Sequence, residues 1–516
     1  MRSASYATTA SSRRCHGRIS LFHVAMAATA LLLLGPCTMA SAPAVAVTVQ
    51  DIAPDVQARI AQMEQSLTTP IAIKGIPIQR MRLQERMAFH QVPAVSIAVI
   101  NNGRLEWARA YGVLDTRQRT PATAASLFQA GSVSKPISAM AALRLVEQGK
   151  LSLDTDANTQ LHSWQIPSNE FTRQSPVTLR KLLNHSAGMT VHGFYGYARN
   201  EQVPSLLQVL DGTPPANSAP VRVTTTPGSE WKYSGGGYSV VQLMMIEAAK
   251  QPFPTLLQAL VLDPLEMHDS TFALTLPPAW QARAATAYHG DGEAVAGNWH
   301  VYPESAAAAL WTTPTDLAKV VVDIQHSQGL SSGKVLSNAT TTTMLQPILG
   351  DYGLGLFIDK AGDGIRFGHS GGTDGFRTQV YGYTGTGQGV VVMTNSDNGA
   401  GLIDEILASV AAVYDWPDLK PIEKAAAAPN AVTNAAVAGE YKMMDTPVHI
   451  IAEGNRLYFQ NDLFGAARME LFAQSNGAFF MTASDMTIDF HRQGSSKASG
   501  FSLLRSGSTY EGTRQE

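Results

Sequence analysis

The sequence predicts an α/β protein. One antiparallel sheet, flanked by helices, is assembled from both ends of a large domain around a helical region, and a small antiparallel β domain follows at the C-terminus. Three observations carry this reading. Strand-like runs near residues 93–112 are separated by a helix-rich stretch from a second set at 352–395. An Ala-, Pro- and Asn-rich stretch at 416–436 has no sustained apolar face and reads as a linker. Beyond it, short alternating runs are punctuated by turn residues such as Glu453-Gly454-Asn455 and Ser475-Asn476-Gly477. At 516 residues the chain exceeds one ordinary domain.

Taken in order, the first elements are a targeting segment and a helix. Arg2, Arg13, Arg14 and Arg18 precede the apolar run ISLFHVAMAATALLLLG, and Ala44-Val45-Ala46 offers a cleavage site. Residues 1–46 are therefore read as a signal peptide, an uncleaved anchor being the alternative; the run is short for a membrane span. Cys37 follows Pro36, which is unsuited to lipidation. Cleavage moves the net charge from −3 to −7 and removes both cysteines, Cys15 and Cys37. An exported chain without disulfides depends on its core, and 45% hydrophobic against 15% charged residues supplies one. The expected location is periplasmic or secreted. No basic patch stands out, so nucleic acid is not an expected partner, nor is a membrane span expected in the mature chain.

Residues 53–67 have the periodicity of an amphipathic helix. PAVSIAVI (93–100), the turn Asn101-Asn102-Gly103 and RLEWARAYG form a predicted hairpin. Helices are predicted from about Ser134 to Gln148, with Gly149 as C-terminal cap, and at 177–185, 238–250, 315–327 and 402–414. YGLGLFI (352–358), RTQVYGY (377–383) and GVVVMTN (389–395) read as strands. The main domain is thus 47–415, the linker 416–436, and the C-terminal barrel or sandwich 437–516.

Ser-x-x-Lys occurs three times, at Ser132–Lys135, Ser229–Lys232 and Ser331–Lys334. Spacing alone cannot choose among them; context can. Acyl transfer by a serine needs an exposed hydroxyl, a base, and N–H groups facing the developing oxyanion. Ser132 follows a glycine and opens a helix, whose N-terminus supplies free N–H groups. Lys135 lies one turn on, along the same face, and Pro136 fits only a first helical turn. SEWK sits in a turn, and SSGK has Gly333 inside it. Two later segments add candidates. Tyr233 follows a turn and precedes a helix. His369-Ser370-Gly371-Gly372 lies on a Gly-rich strand edge, where backbone N–H groups are approachable.

Read together, GSVSKPISAMAALRLVEQGKLSLD, VTLRKLLNHSAGM, PGSEWKYSGGGYS, LWTTPTDLA and GHSGGTDGF resemble the serine β-lactamase and penicillin-binding protein superfamily over residues 55–415. The likeness is to the branch with class C β-lactamases, D-alanyl-D-alanine carboxypeptidases, D-aminopeptidases and esterases. It implies a β-lactamase/transpeptidase-like fold with the site between sheet domain and helical region. It implies Ser132 as nucleophile and Lys135 with Tyr233 as base and proton carrier. The N–H groups of Ser132 and Gly372 become the oxyanion hole, and His369, Ser370, Gly371 and Gly235 contact substrate. A basic Lys135 requires its pKa to fall toward neutrality through burial or a nearby positive charge. The partner is a small-molecule or peptide substrate; no metal or cofactor is implied, and His185 and His192 lack an acidic neighbour for a metal site.

Two departures qualify the resemblance. Gly235 stands where the family usually has asparagine, and His369 stands for the lysine of Lys-Thr-Gly, which holds a substrate carboxylate. Histidine offers less charge at neutral pH, and the direction of Arg377 is open at this stage. The expectation is an esterase, D-amino-acid peptidase or D,D-carboxypeptidase-like enzyme acting through an acyl-enzyme, ahead of a β-lactamase. The rival of another class is a non-catalytic penicillin-fold binding or sensor protein: Gly235 favours it, and intact Ser132, Lys135 and Tyr233 oppose it. The aromatic stretch 189–222 is expected to wall the pocket, an irregular surface loop being the alternative.

Overall fold

The computed structural model describes residues 52–330, 332–444, 446–461, 468–494, 496–505 and 508–515. The anticipated signal segment 1–46, with Cys15 and Cys37, and Ser331 of the third Ser-x-x-Lys lie outside them. No helix among the described residues is long and apolar enough to cross a membrane.

A six-stranded antiparallel sheet runs in the order Arg104–Gly112, Ala94–Asn101, Gly389–Thr394, Phe376–Tyr383, Gly364–Thr373, Phe357–Ala361. Chain segments from both ends meet where Ala94–Asn101 pairs with Gly389–Thr394. Both central strands are buried along nearly their whole length, and their side chains divide by the period of two. Ala98, Ile100, Val391 and Met393 join the core beneath the Ser134–Glu147 and Pro314–Gln325 helices. Val95, Ile97, Val99, Val390 and Val392 face the Pro54–Gln65 and Gly399–Val413 helices. An apolar run buried on both faces is what a central strand between two helical layers requires.

The first hairpin turns on Asn102 (φ 53°) and Gly103 (φ 67°), as its Asn-Gly dipeptide demands. Other elements differ from expectation at their ends. The helix predicted over 177–185 spans only Leu179–Leu183, because His185 takes φ 62° and turns the chain. The strand predicted over 352–358 begins at Phe357; Tyr352 folds inward, and Gly355 at φ 96° bends the chain against Ala139 and Tyr238.

The stretch 416–436 contains more structure than a linker reading implies. Ile422–Lys424 pairs in parallel with Ile71–Ile73, and Asn430 caps a helix, Ala431–Val437, by accepting from the Val432 and Thr433 N–H groups. A three-residue strand is too short to show periodicity. Beyond it, eight strands from Gly439–Met443 to Ser508–Arg514 close into an antiparallel barrel, Tyr441 pairing with Arg514. Closure settles barrel against sandwich. Tyr441, Val448, Phe459, Met481, Ile488 and Phe501 fill its interior, as expected of a barrel this narrow. The barrel is tied to the main domain by Ile71 N–H donating to Thr482 O (3.3 Å) and by Arg505–Asp404 (3.5 Å), and to the 416–436 stretch by Ala427 N–H donating to Ala473 O (2.8 Å) and Lys424–Asp485 (2.8 Å).

Candidate active site

The Phe128–Gln129 strand pairs with Trp311–Thr312 and leads into a tight turn, Gly131–Val133, from which the Ser134–Glu147 helix springs. Gly131 sits at φ 53°, and a Cβ there would lie 2.7 Å from the Gly372 nitrogen, so only glycine lets the two backbones meet. Ser132 is left partly exposed on the turn, while Lys135 is buried at 2% exposure. The Ser134 and Ser138 hydroxyls fasten this helix to 306–310, accepting from Leu310 N–H and donating to Ala306 O.

Lys135 Nζ lies 2.9 Å from Ser132 Oγ and donates to the Ala307 carbonyl at 3.0 Å. It sits 5.0 Å from the centre of the Tyr233 ring. Burial without a carboxylate partner brings the Lys135 pKa down to about 7. Burial pushes the Tyr233 phenol pKa up, and the neighbouring Ser132 side chain opposes that shift. Ser132 Oγ thus meets a buried amine at 2.9 Å, with the Tyr233 phenol close by.

Tyr233 is held by a residue whose part the sequence did not disclose. His185 O accepts from Lys232 N–H (2.7 Å) and His185 Nδ1 from Ser234 N–H (3.1 Å), one bond on each side of Tyr233. The imidazole lies 4.2 Å from the Tyr233 ring, and the residue adopts the left-handed conformation at φ 62°. Burial, then Lys135, hold its pKa well below the usual histidine value, so Nδ1 keeps the lone pair that accepts. The other signal available in sequence, Asn184-His185-Ser186-Ala187-Gly188, reads only as a helix end.

The Gly364–Thr373 strand supplies the opposite wall. Its neighbour Phe357–Ala361 pairs only as far as Gly368, so the edge from His369 onward is free to face the Ser132 turn. Ser370 and Gly372 are exposed while His369 and Gly371 point inward. A Cβ on Gly371 would meet Ala130 O at 1.9 Å, which fixes glycine there. His369 is buried, its Nδ1–H donating to Ser370 O (2.5 Å) and its Nε2 accepting from Tyr352 hydroxyl (3.1 Å). Burial and the proximity of Lys135 lower its pKa to about 3, so it offers no charge at neutral pH. Of the expected substrate contacts on this strand, Ser370 reaches the surface, as does the expected oxyanion donor Gly372, whereas His369 and Gly371 build the wall behind them. Arg377 is committed elsewhere: Nη1 donates to the carbonyls of Thr373 (2.9 Å) and Phe376 (2.8 Å) and pairs with Asp397 at 3.0 Å.

Gly235 opens the Gly235–Ala249 helix and is covered by the 190–194 segment. His192 and His185 both lie against the Tyr233 ring, at 4.9 Å and 4.2 Å. One His–carboxylate group among the described residues, His289, Asp374 and Asp397, has ligand atoms within 4.8 Å of one another. It is linked to Arg377 and His300 by close polar contacts around the turn after Thr373.

The family model described as Beta-lactamase matches residues 80–413, most of the chain. The chain belongs to the beta-lactamase family. It is a hydrolase of that family, and it is similar to several named relatives. Penicillin-binding protein 4* of Bacillus subtilis is 23% identical over 82% of this chain and 95% of its own length. Esterase EstB of Burkholderia gladioli is 32% identical over 39% of this chain and 51% of its own length. Among solved structures, an octameric penicillin-binding protein homologue from Pyrococcus abyssi aligns with TM-score 0.58 at 20% identity, covering 83% of this chain and 98% of that one. D-amino acid amidase from Ochrobactrum anthropi aligns with TM-score 0.53 at 20% identity, covering 64% and 98%. These two structural likenesses bear on the fold alone.

Proposed function

We propose that this protein is an exported serine hydrolase that cleaves an ester or amide through an acyl-enzyme formed on Ser132. The observation that carries the reading is the buried Lys135 amine, 2.9 Å from Ser132 Oγ, with a pKa near 7. At neutral pH a good fraction of Lys135 is uncharged and able to take the hydroxyl proton. Ser132 Oγ then bonds to the substrate carbonyl carbon. The carbonyl oxygen becomes an oxyanion between the N–H groups of Ser132 and Gly372, each donor being worth about 3–4 kcal/mol in such sites. Collapse breaks the carbon–heteroatom bond, and the leaving group departs with the proton relayed from Lys135 through Tyr233. Water attacks the acyl carbonyl in the second half, its proton passing to Lys135 and on to Ser132 Oγ, which regenerates the serine.

His185 is a positioning residue in this scheme: it holds the backbone on both sides of Tyr233 and stacks on its ring. The neutral His369 and the engaged Arg377 favour a substrate other than a β-lactam or a D-Ala-D-Ala terminus, whose carboxylate calls for a cation.

The test is hydrolysis of p-nitrophenyl butyrate, nitrocefin and a D-Ala-D-Ala peptide by the wild type and Ser132→Ala. Turnover of the ester by the wild type alone supports the proposal. Absence of turnover of all three by both proteins argues for the binding-protein alternative.

A further inference from the structure

We infer that the segment carrying His192, Phe194 and Tyr195 is the specificity wall of the site, and that it selects an uncharged substrate with an apolar or aromatic acyl group. The inference rests on the reading of Ser132 and Tyr233 given above.

The segment is fastened to the start of the Gly235–Ala249 helix by hydrogen bonds. Gly235 N–H donates to His192 O and Gly236 N–H to Val191 O, both at 3.0 Å, and Ser234 Oγ donates to Thr190 O at 2.6 Å. Val191 is held at φ 64°, a conformation that a β-branched residue adopts only when its surroundings over-determine it. The docking is thus built in, not incidental to a surface loop.

What it docks against is the position where the family usually carries asparagine. A Cβ on Gly235 would meet Phe194 Cε2 at 3.0 Å and His192 O at 3.2 Å. The edge of the Phe194 ring occupies the space into which a side chain at 235 would project. An amide that would bind polar groups of the acyl part is replaced by an aromatic ring. His192 continues the wall onto Tyr233, 4.9 Å between ring centres, and so toward the phenol near Ser132. Tyr195 follows with its carbonyl held by His300 Nδ1 (3.0 Å) and Tyr302 hydroxyl (3.4 Å), while the residue is 81% exposed. An exposed aromatic on an anchored loop is suited to ligand contact.

The charge pattern points the same way. His369 is sealed under Tyr352, Arg377 is spent on two carbonyls and Asp397, and the turn beyond Gly372 carries Asp374. Arg377, the arginine at that turn, is already engaged and does not offer itself to a substrate carboxylate.

The test compares kcat/KM for p-nitrophenyl acetate, butyrate and phenylacetate, and for nitrocefin, in the wild type, Ser132→Ala, Phe194→Ala and Tyr195→Ala. The expected wild-type order places butyrate and phenylacetate about tenfold or more above acetate, with nitrocefin last. Phe194→Ala is expected to lower the phenylacetate-to-acetate ratio by about tenfold, and Tyr195→Ala, whose exposure makes misfolding no concern, to lower it by a smaller factor. An unchanged ratio in both variants, or a wild type that prefers nitrocefin, overturns the inference. Hydrolysis retained by Ser132→Ala instead overturns the acyl-enzyme reading beneath it, so the two failures are distinguishable.

Discussion

In the segment Ser132–Lys135 the lysine is buried at 2% exposure, meets the serine hydroxyl at 2.9 Å and has a pKa drawn down to about 7. In the segment Ser229–Lys232 the same spacing yields no pair. Ser229 Oγ donates to Thr226 O at 2.7 Å, and Lys232 Nζ donates to Thr224 Oγ1 at 2.8 Å. The first segment begins a long helix packed beneath the 306–310 strip; the second is a surface turn. In the proposed mechanism reactivity comes from a helix that buries the amine while leaving the hydroxyl accessible, and spacing contributes only the shared face.

The comparison can be broken most directly by removing the hydroxyls. Ser132→Ala is expected to lower ester turnover by about 10⁴-fold or more, while Ser229→Ala stays near the wild type; steady-state kinetics on p-nitrophenyl butyrate reads both. Comparable losses would place the chemistry elsewhere.

Exchanging the lysines sharpens it. Lys135→Met is expected to lose about 10³-fold or more in kcat, since general-base catalysis alone contributes 10²–10⁴-fold. Yet it should raise stability, because a buried amine without a carboxylate is costly. Lys135 has a folded pKa of about 7 against an ordinary value of 10.5, so the unfolded chain binds more protons between those values. Wild-type stability therefore rises with pH through that window, and below pH 7 the full penalty remains. At pH 7 the variant should gain about 1–3 kcal/mol after the loss of its hydrogen bonds. Lys232→Met should do neither. Thermal melts and kinetics on the same samples check the pairing.

A pH profile of kcat/KM tests the same group without mutation. Activity should rise with pH through about 7 as Lys135 loses its proton. A profile flat from pH 5 to 9 would contradict the assignment. His369 should contribute no limb there, its pKa being about 3.

The smallest effect concerns His185. His185→Phe keeps an aromatic ring but loses the acceptor for Ser234 N–H, and about a 10–100-fold loss in kcat is expected from a displaced Tyr233. His185→Asn supplies an oxygen in place of Nδ1 and tolerates positive φ, so it should recover much of that loss. A merely structural role predicts equal loss of folded protein in both variants, with no difference in kcat.

Local features were legible in the sequence where local physics decides them. Asn102-Gly103 announces the hairpin, Pro136 the start of the helix below Ser132, and the β-branched runs at 93–100 and 389–395 the two central strands. What escaped depends on partners far along the chain. Ala307, the second acceptor for Lys135, lies 172 residues away from it. The Phe194 contact that explains Gly235 joins a loop to a helix start, and neither shows periodicity. His369 was expected to contact substrate while offering little charge, and only its burial under Tyr352 reveals that it stands in the wall. The Ile422–Lys424 strand was invisible because three residues beside Ile71–Ile73 carry too little pattern.

The central claim is that Ser132 becomes acylated. Wild type and Ser132→Ala would be mixed with p-nitrophenyl butyrate, quenched in acid within the first turnovers, and their intact and peptide masses measured. The account predicts one added butyryl group on the wild-type peptide that holds Ser132 and none on the variant. A butyryl group found on another residue, or equally in Ser132→Ala, would contradict it.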